Sequence, residues 1–243
     1  MNPLYLIDVR LKTGARPPAF IKNLFPLTFT NSITIITGEN GSGKSTLLEA
    51  LAVKLGCNPE GGGRNFHFET EATHSGLYEN LKLSKGYRKE KDLFFYRAET
   101  FYNLNTEVRR LDEAPSFDAK ISTYYGGKDL HALSHGEAMQ ALYNYRFKPD
   151  GLYLLDEPEA SLSPTRQLAF IIRIVELARQ GAQFIIATHS PLLMFIPGSQ
   201  VLAIDNGTLS PINAENSMAV SVYKAVVNSK GDYINQLVDG DSA

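Results

Sequence analysis

The chain has 243 residues, and 43% of them are hydrophobic, which is enough to build a sizeable core. It carries 24 Lys plus Arg and 26 Asp plus Glu, so its net charge of −2 lacks the basic excess that marks many nucleic-acid-binding proteins. An apolar run of about 20 residues and a secretory signal are both missing, which argues against a membrane span and against export. We therefore expect a cytoplasmic protein whose one cysteine, Cys57, is a small buried residue.

The first part of the chain predicts the order strand, glycine-rich loop, helix. Residues 4–11 and 33–37 are rich in aliphatic and β-branched side chains, which favours two strands, the first of them at an edge or in a subdomain. Leucines recur at helical spacing in residues 45–55. These segments together predict a first α/β unit.

The middle of the chain has no sustained hydrophobic period. Residues 58–146 include a run of three glycines, scattered aromatic side chains and a basic stretch. Irregular segments of this kind usually lie at the surface of a domain. We therefore predict that residues 58–146 form an inserted, partly helical lobe within a single domain that spans residues 1–243.

Helix signals return after this region. Ser134 and Glu137 have the spacing of a capping box, which predicts a helix that starts at Ser134. Farther on, Ser163 is the predicted N-cap and Pro164 the first residue of another helix, which Gly181 is expected to end. The core-facing stripe of that helix is predicted to comprise Leu168, Ile171, Ile172 and Val175.

Strands are predicted between and after these helices. Residues 152–155 and 184–187 are continuous apolar runs, which is typical of strands buried on both faces. Residues 201–209 contain Asn206-Gly207 between two short apolar runs, which favours a hairpin. Strands that alternate with helices of this length predict an α/β fold with a mainly parallel sheet.

One loop carries a phosphate-binding pattern. Residues 38–45 fit G-x-x-x-x-G-K-[ST] between a predicted strand and a predicted helix. Backbone N–H groups of such a loop surround phosphates, its lysine reaches the β and γ phosphates, and its serine hydroxyl ligates Mg²⁺. Lys44 is therefore a predicted catalytic residue and Ser45 a predicted metal ligand. The predicted nucleotide-binding residues are Gly38, Glu39, Asn40, Gly41, Ser42, Gly43, Lys44, Ser45 and Thr46.

Two acids follow the apolar run of residues 152–155. In α/β sheets, ligands bind at the carboxyl ends of the strands, where Asp156 and Glu157 are expected to lie. Asp156 is predicted to hold Mg²⁺, and Glu157 to polarise the water that attacks the γ phosphate. Taken alone, the pair could also be an acidic strand end before a proline turn.

The segment 133–137, with the sequence LSHGE, resembles the signature sequence of ABC-type ATPases. In that family the signature serine and glycine contact the γ phosphate held by the opposite subunit. The resemblance therefore implies that Ser134 and Gly136 bind nucleotide across a dimer. His135 and Glu137 depart from the usual glycine and glutamine. A plain helix cap is the alternative role of Ser134.

Three other segments extend this resemblance. Residues 161–163 resemble the D-loop of the family, and His189 resembles its switch histidine, which senses the γ phosphate. Glu99 lies where the family carries a glutamine that touches Mg²⁺, which implies that Glu99 binds the metal. An ion pair with Arg97, or simple solvation, is the alternative for Glu99.

The resemblance implies a P-loop NTPase fold: an ABC-type ATPase domain with a mainly parallel sheet, an antiparallel β subdomain and a helical lobe that carries the signature. It also implies ATP and Mg²⁺ as ligands, ATP hydrolysis and an ATP-dependent homodimer. The whole chain is similar to short bacterial predicted ATPases related to the SMC, repair and overcoming-lysogenization-type ATPases. Phe20 and Tyr5 are the candidates for the side chain that stacks on adenine.

Two alternative functions stay open. The first is a nucleotide-binding subunit of an ABC transporter, which would need a membrane permease as its partner. The second is a module of DNA repair or phage defence that grips nucleic acid or a nuclease partner. Its candidate contacts are Arg88, Lys89, Lys91, Arg109 and Arg110, although most such charges are only solvated.

Overall fold

The structure is a computed structural model, and it describes residues 4–63, 76–113, 120–127 and 132–240. The remaining parts of the predicted lobe lie outside the described residues. Two sheets organise the described part of the chain. None of its helices combines the length and the apolarity that crossing a lipid bilayer requires.

The smaller sheet is antiparallel and has three strands in the order β2-β1-β4. They are β1 (Leu6–Leu11), β2 (Leu27–Thr28) and β4 (Leu81–Lys85). A short helix, α1 (Ala19–Lys22), lies in the connection between β1 and β2. This sheet is the antiparallel β subdomain that the resemblance implies.

The larger sheet has six strands in the order β5-β6-β7-β3-β8-β9. The first five run parallel, and β9 pairs antiparallel with β8 at the edge. Their bounds are β3 (Ile33–Gly38), β5 (Asp92–Arg97), β6 (Gly151–Asp156), β7 (Gln183–Ala187), β8 (Gln200–Asp205) and β9 (Thr208–Pro211). The predicted mainly parallel sheet is therefore confirmed, as is the hairpin of β8 and β9 around Asn206-Gly207.

Helices cover both faces of the larger sheet. On one face, α2 packs with the antiparallel sheet, and on the other face lie α4, α5 and α6. Successive residues of β6 enter the two cores in turn, as Leu154 and Leu155 do. Both faces of β6 are therefore buried, which is why its sequence is continuously apolar. The helices are α2 (Lys44–Leu55), α3 (Leu77–Asn80), α4 (Phe101–Glu113), α5 (His135–Ala141), α6 (Pro164–Arg179), α7 (Pro191–Met194), α8 (Met218–Asn228) and α9 (Asp232–Asp239).

The extent of the predicted lobe needs correction. Within residues 58–146, β4 belongs to the antiparallel sheet and β5 is the edge strand of the larger sheet. The segment of β5 shows no period because Leu93 and Phe95 enter one core while Phe94 and Tyr96 enter the other. The described helical parts of this range are α3, α4, α5 and two short turns, Ile121–Tyr125 and Leu142–Arg146.

The predicted core-facing stripe of α6 is only half confirmed, because Ile171 and Val175 pack against the core but Leu168 and Ile172 do not. Leu168 and Ile172 are 51% and 61% exposed, while Phe170, Ile174 and Leu177 are buried. Both series recur at helical spacing, so the choice between them depends on which way the helix is rotated over the sheet. Packing decides it, since the Phe170 ring lies 5.4 Å from that of Tyr143 and both side chains are buried.

A buried glutamine joins the two sheets. The side-chain oxygen of Gln183, in β7, accepts hydrogen bonds from the backbone N–H of Tyr5 at 2.8 Å and of Leu6 at 3.0 Å. Its side-chain nitrogen donates to the carbonyl oxygen of Leu6 at 2.9 Å. The start of β1 is thus held against the end of the larger sheet that lies opposite the glycine-rich loop.

Candidate nucleotide site

The glycine-rich loop connects β3 to α2 and requires glycine at both of its ends. A Cβ on Gly38 would lie 2.6 Å from the carbonyl oxygen of Ile204 and 2.9 Å from Ser42 Oγ. Gly43, the N-cap of α2, has a φ of 98°, a conformation that glycine adopts at little cost. The loop therefore winds tightly and leaves its backbone open toward a ligand.

Lys44 is buried at the start of α2. Its Nζ donates hydrogen bonds to the carbonyl oxygens of Gly38 and Glu39, each at 2.9 Å. Burial lowers the pKa of the Lys44 ammonium, while nearby carboxylates, that of Glu157 first, oppose this shift. The lysine thus already lies inside the loop that is predicted to hold the phosphates.

Ser45 and Asp156 meet beside Lys44. Ser45 Oγ donates to Asp156 Oδ1 at 3.1 Å, and burial raises the pKa of Asp156 to about 6. Oxygen ligands of this kind suit Mg²⁺, which usually takes one or two protein groups and completes its shell with phosphate and water. The hydroxyl of Ser45 and the carboxylate of Asp156 fit that pattern, because they are two oxygen ligands that lie side by side.

Glu157 and His189 lie at the carboxyl ends of the adjacent strands β6 and β7. Glu157 has a φ of 51°, and its backbone N–H donates to the carbonyl oxygen of Ala187 at 2.9 Å. His189 Nε2 is 3.7 Å from Glu157 Oε1 and is buried without a hydrogen-bond partner among the described residues. Burial, followed by the charge of Lys44, lowers the pKa of His189, so its imidazole is neutral at pH 7.

Glu99 is an exposed acid in an ion pair. Its carboxylate lies 3.2 Å from Arg97 Nη2, and its side chain is 77% exposed. Arg97 ends β5 in register with Asp156, and its Nη1 lies 2.6 Å from the carboxylate of Glu49 in α2. The ion pair that was the alternative role of Glu99 is therefore present. Glu99 also lines the cavity around Lys44. The sequence analysis missed the pair formed by Arg97 and Glu49, which joins residues 48 positions apart.

Lys44, Ser45, Glu99, Glu157 and His189 line one cavity of about 760 Å³, whereas Asp156 is not among its lining residues and contacts Ser45. Of the two aromatic candidates, Phe20 lies at the cavity with 49% of its surface exposed, whereas Tyr5 is 1% exposed and donates to Asp150 at 3.4 Å. Tyr5 thus has a structural role, and Phe20 is positioned to meet a ligand. The lining residues are Phe20, Asn40, Gly41, Gly43, Lys44, Ser45, Thr46, Glu99, Glu157 and His189.

The signature residues lie elsewhere. The predicted capping box is present: Ser134 Oγ accepts from the backbone N–H of Glu137, whose carboxylate accepts from the backbone N–H of Ser134. Gly136 packs so closely on the loop before α6 that a Cβ would lie 2.8 Å from the carbonyl oxygen of Ser161. Neither Ser134 nor Gly136 lines the cavity around Lys44.

Two known families and several known proteins match the sequence of this chain. Residues 20–113 match the family described as "AAA domain", and residues 141–194 the family described as "AAA domain, putative AbiEii toxin, Type IV TA system". Over 250 residues the chain is 26% identical to the vitamin B12 import ATP-binding protein BtuD of Vibrio atlanticus, covering 90% of this chain and 92% of that protein. Together these matches support an ABC-type P-loop ATPase domain.

Two other relatives are longer than the segment they share with this ATPase. It is 30% identical over 156 residues to the probable branched-chain amino acid transport ATP-binding protein LivF of Archaeoglobus fulgidus, covering 60% of this chain. It is 24% identical over 176 residues to the ABC transporter G family member STR2 of Medicago truncatula, covering 65% of this chain. The shared segments span only 65% and 24% of these two relatives.

Solved structures show the same fold. An ATP-binding subunit of an ABC transporter superposes with a TM-score of 0.52 at 15% identity, covering 91% of the ATPase and 99% of that chain. The protein cbiO1 of Clostridium perfringens, part of the ABC transporter complex cbiONQ, gives a TM-score of 0.51 at 17% identity, covering 98% and 100%. The P-loop fold that the resemblance implied is therefore confirmed.

The raised pKa of Asp156 predicts a pH-dependent cost to the stability of the ATPase. Its pKa lies above the ordinary 3.8, so ionisation disfavours the folded state. The cost is absent below about pH 4, grows as the pH rises from about 4 to 6, and is complete above pH 6, where it amounts to about 3 kcal/mol at most. Without Mg²⁺ and nucleotide, Asp156→Asn should therefore stabilise the protein at pH 8.

Urea unfolding of both proteins at pH 5 and pH 8 tests this expectation. The gain from Asp156→Asn should shrink toward pH 5, where the wild-type carboxyl group is largely protonated. An equal difference at the two pH values would show that burial does not dominate at Asp156.

Proposed function

We propose that this ATPase hydrolyses ATP with Mg²⁺ as a head-to-tail homodimer that closes around two nucleotides and acts as a switch. One observation supports this proposal above all. The side chains suited to phosphate chemistry surround one cavity, whereas Ser134 and Gly136, at the start of α5, lie outside it. A second copy could bring its own signature residues to that cavity.

Six residues at or beside the cavity have proposed tasks in this mechanism. Lys44 exchanges the carbonyl oxygens of its own loop for the β and γ phosphates. Glu157 accepts a proton from the attacking water, and His189, neutral at pH 7, donates a hydrogen bond to the γ phosphate. Phe20 stacks on the adenine. Bound by Ser45 and Asp156, Mg²⁺ would neutralise charge on the phosphate oxygens.

Glu99 is a further proposed contact to the metal. Its carboxylate lines the cavity and is exposed enough to turn inward from Arg97. Such a turn would leave Arg97 paired with Glu49. Glu99 would therefore reach the metal only in the nucleotide-bound state.

Closure gives the ATPase its character as a switch. A composite site gains the contacts from Ser134 and Gly136 only when two copies meet, so ATP favours the closed pair and hydrolysis loosens it. The biological process depends on the partner that the closed pair holds or moves. The two candidates are a membrane permease and a nucleic acid or nuclease.

A membrane permease is the partner expected if the ATPase is a transporter subunit. The names of BtuD and LivF favour this candidate, since both are transport ATP-binding proteins. Co-purification of an integral membrane protein would support it.

Nucleic acid or a nuclease is the partner in the other candidate function. Most of the basic side chains considered for it are engaged within the chain. Arg88 and Lys91 pair with Asp150, Arg109 with Glu113, and Arg110 with Glu107. A nucleic-acid contact would have to break these pairs, which makes this partner the less favoured one.

Mixing two inactive variants tests the head-to-tail arrangement. Lys44→Ala removes the phosphate contact. Ser134→Asp keeps a good helix cap but places a negative charge against the γ phosphate of the other copy. In a mixed dimer, one of the two sites combines an intact Lys44 with an intact Ser134. Equal amounts should therefore restore about a quarter of the wild-type phosphate release by random pairing.

The two variants assayed singly are the controls, and each should stay inactive. A mixture as inactive as its components would contradict a site shared between two copies.

A further inference from the structure

A third acid follows β6, in the turn Pro158–Ser161. Glu159 Oε1 accepts three hydrogen bonds: from Thr188 Oγ1 at 2.6 Å, from the backbone N–H of His189 at 2.8 Å and from the backbone N–H of Ser190 at 3.1 Å. One carboxylate oxygen thus holds three consecutive residues of the loop that carries His189.

These bonds fix the loop where it matters. Thr188 and Ser190 are buried, and the backbone N–H of Ser190 is shared between Glu159 and Thr188 Oγ1, which lies at 2.9 Å. Hydrogen bonds to a carboxylate are stronger than those between neutral groups. The backbone of His189 is therefore held in one position, which fixes the point where its side chain begins. The imidazole Nε2 lies 3.7 Å from Glu157 Oε1.

The same loop is tied to the segment 161–163, which resembles the D-loop. Ser190 Oγ donates to Gln167 Oε1 at 2.6 Å, and Gln167 Nε2 donates to the carbonyl oxygen of Leu162 at 3.0 Å. A continuous chain of hydrogen bonds thus runs from Leu162 to the His189 loop. The turn is therefore connected to that loop twice, through Glu159 and, just after the end of the turn, through Leu162.

We infer that Glu159 is the positioning residue of His189, and that Gln167 links this position to the segment 161–163. The inference rests on the proposed function, in which His189 contacts the γ phosphate. It goes beyond that function because Glu159 does not line the cavity around Lys44 and acts through the histidine. Where the segment 161–163 contacts a second copy, the position of this segment affects the position of His189 through these hydrogen bonds.

Steady-state ATP turnover of three variants tests the inference. Glu159→Ala removes the acceptor and should lower kcat by about 100-fold, the cost of misplacing a catalytic group by about 1 Å. Affinity for ATP should stay within about threefold, because Lys44 and its loop are untouched. Glu159→Gln keeps an acceptor oxygen and should rescue part of kcat. Glu176→Gln changes an exposed acid of α6 and should have no effect.

The double variant separates positioning from general damage. If Glu159 acts through His189, then Glu159→Ala should cost nothing further in a His189→Ala background. Losses that multiply would overturn the inference. Thermal unfolding shows whether each variant is folded. If Glu159→Ala does not fold, Glu159→Gln, which preserves the shape of the side chain, takes its place in the double variant.

A spectroscopic measurement tests the inference apart from turnover. The chain has 5 His residues, and the imidazole NMR signal of His189 is the one that His189→Ala removes. This signal should move in Glu159→Ala and stay in place in Glu176→Gln. An unmoved signal would overturn the inference alone. Wild-type turnover by His189→Ala would instead overturn the proposed function, and the inference with it.

Discussion

Glu157→Gln is expected to slow ATP turnover by about 100- to 10,000-fold and to trap the protein as an ATP-bound dimer. The glutamine keeps the size of the side chain beside His189 but cannot take a proton from the attacking water. Lys44, Ser45 and Asp156 are unchanged, so ATP should still bind. Because the closed pair opens only after hydrolysis in the proposed mechanism, closure should persist.

Light scattering at increasing protein concentration, with and without Mg·ATP, measures this effect. The variant should double in mass only with Mg·ATP, while Glu176→Gln should behave as the wild type. A Glu157→Gln variant that stays monomeric at saturating ATP would contradict the homodimer. It would leave the chemistry of the glycine-rich loop intact and imply that a different chain supplies the second half of each site.

Lys44→Ala is expected to weaken ATP binding by about 100-fold, which is the loss of about 3 kcal/mol from charge-assisted hydrogen bonds to phosphate. The substitution also leaves the carbonyl oxygens of Gly38 and Glu39 without the partner they have now. The loop therefore loses both its charge and part of its own support.

Calorimetric titration with ATP measures the affinity, and Lys85→Ala, in the exposed part of β4, is the matched control. Thermal unfolding of the nucleotide-free proteins separates loss of binding from loss of fold. Binding by Lys44→Ala within about threefold of wild type would contradict the proposed role of this lysine.

The sequence predicted the features that depend on neighbouring residues. The capping box at Ser134 and the hairpin at Asn206-Gly207 follow from local backbone rules, and both are present. The glycine-rich loop is equally local, since its pattern lies between one strand and one helix. The side chains chosen from these patterns and from the resemblance mostly surround one cavity.

Features that depend on distant parts of the chain were missed. The buried face of α6 depends on the rotation of the helix over the sheet, which its spacing does not determine. The edge strand β5 was hidden because both of its faces are buried. Glu159 lies next to a predicted catalytic pair, but its three donors are about 30 residues away along the chain.

The helices α8 and α9 were not predicted either. Among their described side chains only Val220 is buried, while large apolar side chains such as Val227, Leu237 and Val238 are exposed. An apolar stripe that faces the core is the signal by which helices are found in sequence. Such a stripe is present in α9, where Ile234, Leu237 and Val238 recur at helical spacing, but it is exposed instead of facing the core.

The buried amide of Gln183 has a consequence for how the molecule opens. Its partners, Tyr5 and Leu6, precede it by 178 and 177 residues, so no local segment can satisfy this side chain. Separating the antiparallel sheet from β7 would leave the amide unpaired, at a cost of about 1–3 kcal/mol. Local unfolding of either sheet therefore carries that penalty, and backbone amides on both sides of the joint should exchange with solvent as one cooperative unit.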